Sequence, residues 1–96
     1  MALTIEDLET SGAVTLRIAG EVDLYSSPEL RAAVQKHLPR AKTALRIDLS
    51  HVGYMDSSGV ATLVEGMRNA QTKKIEFVLV TPSEPVMKVL QLSRLD

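Results

Sequence analysis

A strand-like run, a short polar turn and a helix-like run follow one another between Ala44 and Gln71, and this succession does most to limit the possible folds. Leu45, Ile47 and Leu49 alternate with Arg46 and Asp48, the period of a strand with one dry face. Val60, Leu63, Val64 and Met67 then repeat at helical spacing, with Arg68, Asn69, Thr72 and Lys73 on the wet side or at the end of that helix. A strand passing directly into a helix usually returns to the same sheet as a parallel neighbour through a right-handed crossover. The turn between them reads Tyr54-Met55-Asp56-Ser57-Ser58-Gly59-Val60. Asp56 and Ser57 are both good N-caps, since a short side-chain oxygen accepts hydrogen bonds from the unpaired N–H groups of a first helical turn. Gly59 keeps the turn free of bulk. The motif reads either as an ordinary cap or as a place where the helix's amino end receives an anion, such as a phosphate carried by a serine.

The same grammar recurs along the chain. Leu3 to Leu8 alternates in part, Thr10-Ser11-Gly12 signals a turn, and Ala13 to Ala19 alternates through Val14, Leu16 and Ile18. These runs predict a hairpin, with Gly20 ending its second strand. Glu21 to Ser26 is read as a loop. Ser27-Pro28-Glu29 predicts a helix start with Ser27 as the cap. Leu30, Ala33, Val34 and Leu38 mark the helix's inner face, and Pro39 stops it. Ser50 to Gly53 is read as a connection. Ile75 to Val80, nearly all apolar, predicts a strand covered on both faces. Thr81-Pro82-Ser83 turns the chain into a last helix over Glu84 to Leu92, with Val86, Val89 and Leu90 inward.

The order β-β-α-β-α-β-α defines an α/β fold, a mixed four-stranded sheet with its helices packed mainly on one face and the other face partly wet. Ninety-six residues are expected to form a single domain, and no repeat or linker breaks the chain. A net charge of −1 without a basic block argues against nucleic acid as a partner. No cysteine is present, which removes disulfides, thiol nucleophiles and thiolate metal sites. No apolar run nears the ~18 residues that span a bilayer, and no signal peptide opens the chain. The expected setting is cytoplasmic, without membrane insertion.

In a parallel sheet the loops carrying Asp23 and Asp56-Ser57 both leave the carboxyl ends of strands, where open α/β sheets usually place their sites. Asp23 can equally serve its own loop by capping the backbone of Tyr25 or Ser26. A serine nucleophile needs a base in reach, and the two histidines are badly placed for it: His37 sits late in the first helix, and His51 would have to fold back on Ser57. No Gly-x-Ser-x-Gly elbow, phosphate-binding glycine loop or metal-ligand spacing occurs, so neither an enzyme nor a cofactor is expected. Met55, Met67 and Met87 read as core filler.

Three stretches in this order, Gly20-Glu21-Val22-Asp23, Ile47-Asp48-Leu49-Ser50 and Tyr54 to Val60, resemble the STAS domain, and within it the bacterial anti-sigma factor antagonists. Phe77 to Val80, Pro82-Ser83 and Val86 to Leu95 are similar to the family's last strand and helix. The resemblance implies a protein that binds an anti-sigma factor, itself a serine kinase of the histidine-kinase-like ATPase type, and so frees a sigma factor. The kinase would phosphorylate Ser57 and abolish binding, and a PPM-type serine phosphatase would restore it. Asp23, Asp56, Ser57, Ser58 and Gly59 would form the partner surface, with Ser58 supporting the turn rather than accepting phosphate. Two other STAS roles stay open: the small subunit of a lipid-transporting ABC complex that binds its ATPase, and a stressosome-like scaffold. The family usually continues beyond the point matching Asp96, so a trimmed C-terminus and exposed apolar surface near Leu92 and Leu95 are expected.

Overall fold

The computed structural model describes residues 3–92. Strands β1 (Thr4–Thr10), β2 (Ala13–Val22), β3 (Ala44–Met55) and β4 (Glu76–Val80) lie side by side in sequence order. β1 and β2 are antiparallel, while β2, β3 and β4 are parallel, as the helical crossovers require. The helices are α1 (Ser27–His37), α2 (Ser57–Thr72) and α3 (Glu84–Leu92), with a 3₁₀ turn at Leu38–Arg40 after α1. The β1–β2 turn uses Ser11 and Gly12, at φ of 51° and 87°. Positive φ at both central residues is what a tight two-residue hairpin demands.

One face of the sheet is dry. Val14, Leu16, Ile18, Leu45, Ile47 and Leu49 join Leu30 and Val34 of α1, Val60, Leu63 and Ala70 of α2, and Val86 and Leu90 of α3 in one core. The other face carries Arg17, Arg46 and Asp48, and Arg17 Nε reaches Asp48 Oδ2 at 3.4 Å across neighbouring strands. Such an exposed pair contributes at most about 1 kcal/mol. On the outer side of the helix layer, Arg31 of α1 donates from Nε to Glu65 Oε1 of α2 at 2.9 Å.

Four local expectations are corrected. Gly20 does not end β2. At φ 119° it carries the strand on to Val22. Ser50 to Gly53 is strand rather than connection: the 10 residues of β2 pair along the 12 of β3, and two β-bulges absorb the excess. Each bulge adds a residue to β3, so Ser50-His51 and Gly53-Tyr54 are exposed while Val52 and Met55 are buried, and the period of two is lost. Ser27 is the first residue of α1 rather than its cap, a position held by Ser26. β4 is not covered on both faces. As the last strand among the described residues, with the wet face behind it, it leaves Phe77 to Val80 half-buried. The last helix has the expected bounds, and Leu92 at its end is exposed, whereas Leu95 lies outside the described residues.

Candidate functional site

The site is built where β2 and β3 end together. Val22 pairs with Met55, and the Asp56 N–H donates to the Val22 carbonyl at 3.1 Å. One residue further, the two strands release the Asp23 loop and the start of α2 side by side. Gly59 makes this junction possible. A β-carbon on it would stand 2.7 Å from both Met55 Cγ and Val22 Cγ1, closer than carbon atoms approach. The glycine thus lets the first turn of α2 press onto the ends of both strands, a stricter need than keeping a turn open.

Asp56 is the N-cap of α2. Its Oδ1 accepts from the Ser58 N–H at 2.9 Å and from the Ser58 hydroxyl at 2.5 Å. The two serines therefore differ. The Ser58 hydroxyl is committed to the cap, whereas Ser57 is exposed and its hydroxyl has no hydrogen bond among the described residues. Ser57 is the first residue of α2, at the positive end of the helix dipole.

Asp23 holds its own loop. Its Oδ1 accepts from the backbone N–H groups of Tyr25 and Ser26, each at 2.9 Å. Buried Ser26 completes the loop: its hydroxyl oxygen accepts from the Asp23 N–H at 3.0 Å and donates to the Glu21 carbonyl at 2.7 Å. The Asp23 Oδ2 carries no hydrogen bond among the described residues. The Ser26 backbone N–H, then its hydroxyl and the Tyr25 N–H, favour the ionised carboxyl and outweigh the opposing effect of desolvation, so its pKa is lowered from 3.8. A depressed carboxyl supports the folded loop above the ordinary value and loses that support as pH falls through its own lower pKa. In an acid titration followed by NMR, the Tyr25 and Ser26 amide resonances are expected to move with a midpoint below 3.8. A midpoint at or above that value would remove the carboxylate from its role as the loop's anchor.

Sequence reasoning missed the apolar part of this rim. Tyr25 is 86% exposed and Leu24 is 68% exposed, on the loop beside Asp23, and Tyr54 stands exposed just before the cap. Three large side chains left in water on the segments that adjoin the cap are more than a plain helix cap needs. The available signal was Leu24-Tyr25 in a loop too short to bury them. Ser26 was also missed, because its role depends on a carbonyl five residues upstream.

The histidines stand apart from this rim. His37 is buried at the far end of α1, with Nδ1 lacking a partner, and His51 Nδ1 lies 3.0 Å from the Ser50 hydroxyl on the strand. Neither is bonded to Ser57. Among the described residues no group of His, Asp and Glu has the arrangement of a metal site, and no helix is long and apolar enough to cross a membrane. The site thus gathers one exposed hydroxyl and two carboxylates where neighbouring parallel strands end, with Leu24, Tyr25 and Tyr54 exposed on the adjoining segments.

A family profile described as "Mlab, STAS domain" matches residues 6–96 of the chain. The chain belongs to the STAS domain family. The relatives place it with the anti-sigma factor antagonists of bacteria. It is 30% identical to the anti-sigma-B factor antagonist of Bacillus subtilis, over 99% of this chain and 86% of that one. It is 27% identical to the anti-sigma-B factor antagonist of Listeria monocytogenes, over 100% of this chain and 83% of that one. The anti-sigma factor antagonist SpoIIAA, solved in its unphosphorylated form, is 30% identical, covers 97% of this chain and 81% of its own, and superposes with a TM-score of 0.81. The Bacillus SpoIIAA in its phosphorylated form is 29% identical, over 97% of this chain and 84% of that one, with a TM-score of 0.74.

Proposed function

We propose that this chain releases a sigma factor by binding the anti-sigma factor, a serine kinase of the histidine-kinase-like ATPase type, and that phosphorylation of Ser57 ends the binding. The observation carrying this reading is the contrast between the two serines: one hydroxyl is tied to Asp56, and the other faces solvent at a helix N-terminus. The N–H groups and dipole of α2 tolerate a dianion at Ser57, so the fold keeps its stability while the rim gains roughly −1.5 to −2 charges beside Asp23 and Asp56. Binding then changes without unfolding. A PPM-type phosphatase acting on the same exposed residue resets the protein. A relative of similar fold solved in a phosphorylated form supports the reading.

A STAS subunit of a lipid-transporting complex is the competing role, and the intact Asp56-Ser57-Ser58-Gly59 element favours the first. The test is incubation of the purified chain with the ATPase encoded beside it and ATP, followed by peptide mass spectrometry. A single phosphate on Ser57, absent from Ser57→Ala, is expected. Phosphate on Ser58 alone, or none under conditions where the kinase modifies a known substrate, would overturn the proposal.

A further inference from the structure

The Ser57 site continues into the helix layer. A depression of about 320 Å³ lies between α1 and α2, lined by Ser27, Pro28 and Arg31 of the first and by Ser58, Ala61 and Glu65 of the second, among others. Arg31 is the one cation among the residues that line it. Its partner is Glu65, held through a single hydrogen bond from Nε at 2.9 Å, and 57% and 41% of the two side chains are exposed. A lone contact between such exposed groups holds weakly. Glu65 Oε1 also accepts from Gln35 Nε2 at 3.4 Å, so the carboxylate keeps a partner when the guanidinium leaves.

Both helices follow the carboxyl ends of parallel strands, so they run in the same direction. Arg31 stands one turn into α1, and Ala61, which lines the same depression, stands one turn into α2. On α2 the row Ser57, Ala61 and Glu65 recurs about once per turn, which keeps it on one side of the helix. From the level of Ala61, Glu65 lies one turn further along and Ser57 one turn back, each about 6 Å along the axis. Both lie within the swing of an arginine side chain. Among the residues lining the depression, Glu65 is the one anion that Arg31 meets in the unmodified chain. A phosphate on Ser57 would add roughly −1.5 to −2 charges and three acceptor oxygens, which suit the planar guanidinium fork better than one carboxylate oxygen does.

We infer that Arg31 is the phosphate-binding residue for modified Ser57: its guanidinium leaves Glu65 and clamps the phosphate onto the α1–α2 depression. The inference rests on the proposed modification of Ser57. The clamp sets a positive charge against the new group, which Asp23 and Asp56 repel. It also moves the signal. Glu65, about 12 Å from Ser57 along the helix, loses its cation and keeps Gln35, so modification at the strand ends changes the charge on the outer side of the helix layer.

The test is a phosphorus NMR titration of the full chain with phosphoserine built in at Ser57 during synthesis, which needs no kinase. A guanidinium beside the phosphate favours its dianion, so the second phosphate pKa is expected below the ordinary value of about 6. In Arg31→Gln it is expected about 0.5 or more higher than in the otherwise unaltered phosphorylated chain. Arg31→Lys is expected between the two, since an ammonium keeps the charge and loses the fork. Glu65→Gln, which frees Arg31 for the phosphate, is expected to lower it. Arg17→Gln, which removes a cation paired with Asp48 on the wet face, is expected to leave it unchanged. Equal values with and without Arg31, or a rise in Arg17→Gln that matches the rise in Arg31→Gln, would overturn the inference. Should Arg31→Gln fail to fold, the Glu65→Gln value decides: below the unaltered chain it supports the clamp, and at or above it the clamp is refuted. A kinase that leaves Ser57 unmodified would refute the proposed function without altering this titration, and an unresponsive titration would refute the clamp without touching the kinase experiment.

Discussion

Ser57→Asp is expected to lose at least about a hundredfold in affinity for the anti-sigma factor, close to 2.7 kcal/mol, while Ser57→Ala stays within a few-fold of the wild type. The difference arises from where the charge would sit. Ser57 is exposed in the free protein, and a partner docking over the start of α2 would exclude water from it. A hydroxyl loses little on such burial, and its removal leaves no group unpaired. A carboxylate would lose its hydration beside Asp23 and Asp56, and a buried charge without a partner costs about 2–5 kcal/mol. The same substitution acts oppositely on the fold. An acid in the first turn of α2 complements the helix dipole and is expected to hold or raise stability, by about 0.3–1 kcal/mol. Titration calorimetry against the anti-sigma factor, paired with thermal melts, separates the two effects. Equal binding by both variants, or a loss of binding that tracks a lowered melting temperature, would rule out a charge-driven switch.

Gly59→Ala is expected to be the most damaging single-methyl change at this junction. The new methyl group would lie 2.7 Å from both Met55 Cγ and Val22 Cγ1. Met55 is 2% exposed and Val22 fully buried, so neither side chain has solvent to move into. Overpacking of this kind costs about 1–3 kcal/mol. Replacing a helical glycine by alanine returns about 1 kcal/mol, and with two contacts this short the cost falls in the upper part of its range, so a net loss of up to about 2 kcal/mol remains. For a domain of this size the melting temperature is expected to fall by about 4–8 °C per kcal/mol. The relief available to the protein is to lift the first turn of α2 off the strand ends, which would part Ser57 from Asp23. Partner affinity should therefore fall together with stability, unlike the pattern at Ser57. An unchanged melting temperature would mean that the junction is looser than its contacts indicate.

The framework was readable because its periodicities are clean. Leu45-Ile47-Leu49, Val14-Leu16-Ile18 and the spacing of Leu30, Val34 and Leu38 each report a single buried face, and the order of elements then leaves few topologies. The reading broke where backbone geometry replaced alternation. β3 after Leu49 looks like a loop because its two bulges reset the pattern, and no propensity reports a bulge in advance. β4 looked buried on both faces because its residues are apolar, but apolar composition does not report the half-burial that Phe77 to Val80 show. At the site, Asp56, Ser57 and Gly59 were legible as cap chemistry. The inequality of the two serines was less so, since it rests on which hydroxyl Asp56 captures. The local bonds of Asp23 were foreseeable from its spacing to Tyr25 and Ser26. Its nearness to Asp56 depends on the Val22–Met55 pairing across distant parts of the chain.

The surplus residues in β3 imply that the stretch from Ser50 to Met55 tolerates altered spelling far better than altered length. Ser50, His51, Gly53 and Tyr54 all face water, so most replacements there would leave the interior untouched. Deleting any one of them would swing Met55 outward and carry Asp56 with it, because a one-step slip exchanges the two sides of a strand. The distance counted in residues from Leu49 to the cap is thus a ruler, and a chain shortened by one notch would take Met55 out of the interior and turn Ser57 in the wrong direction.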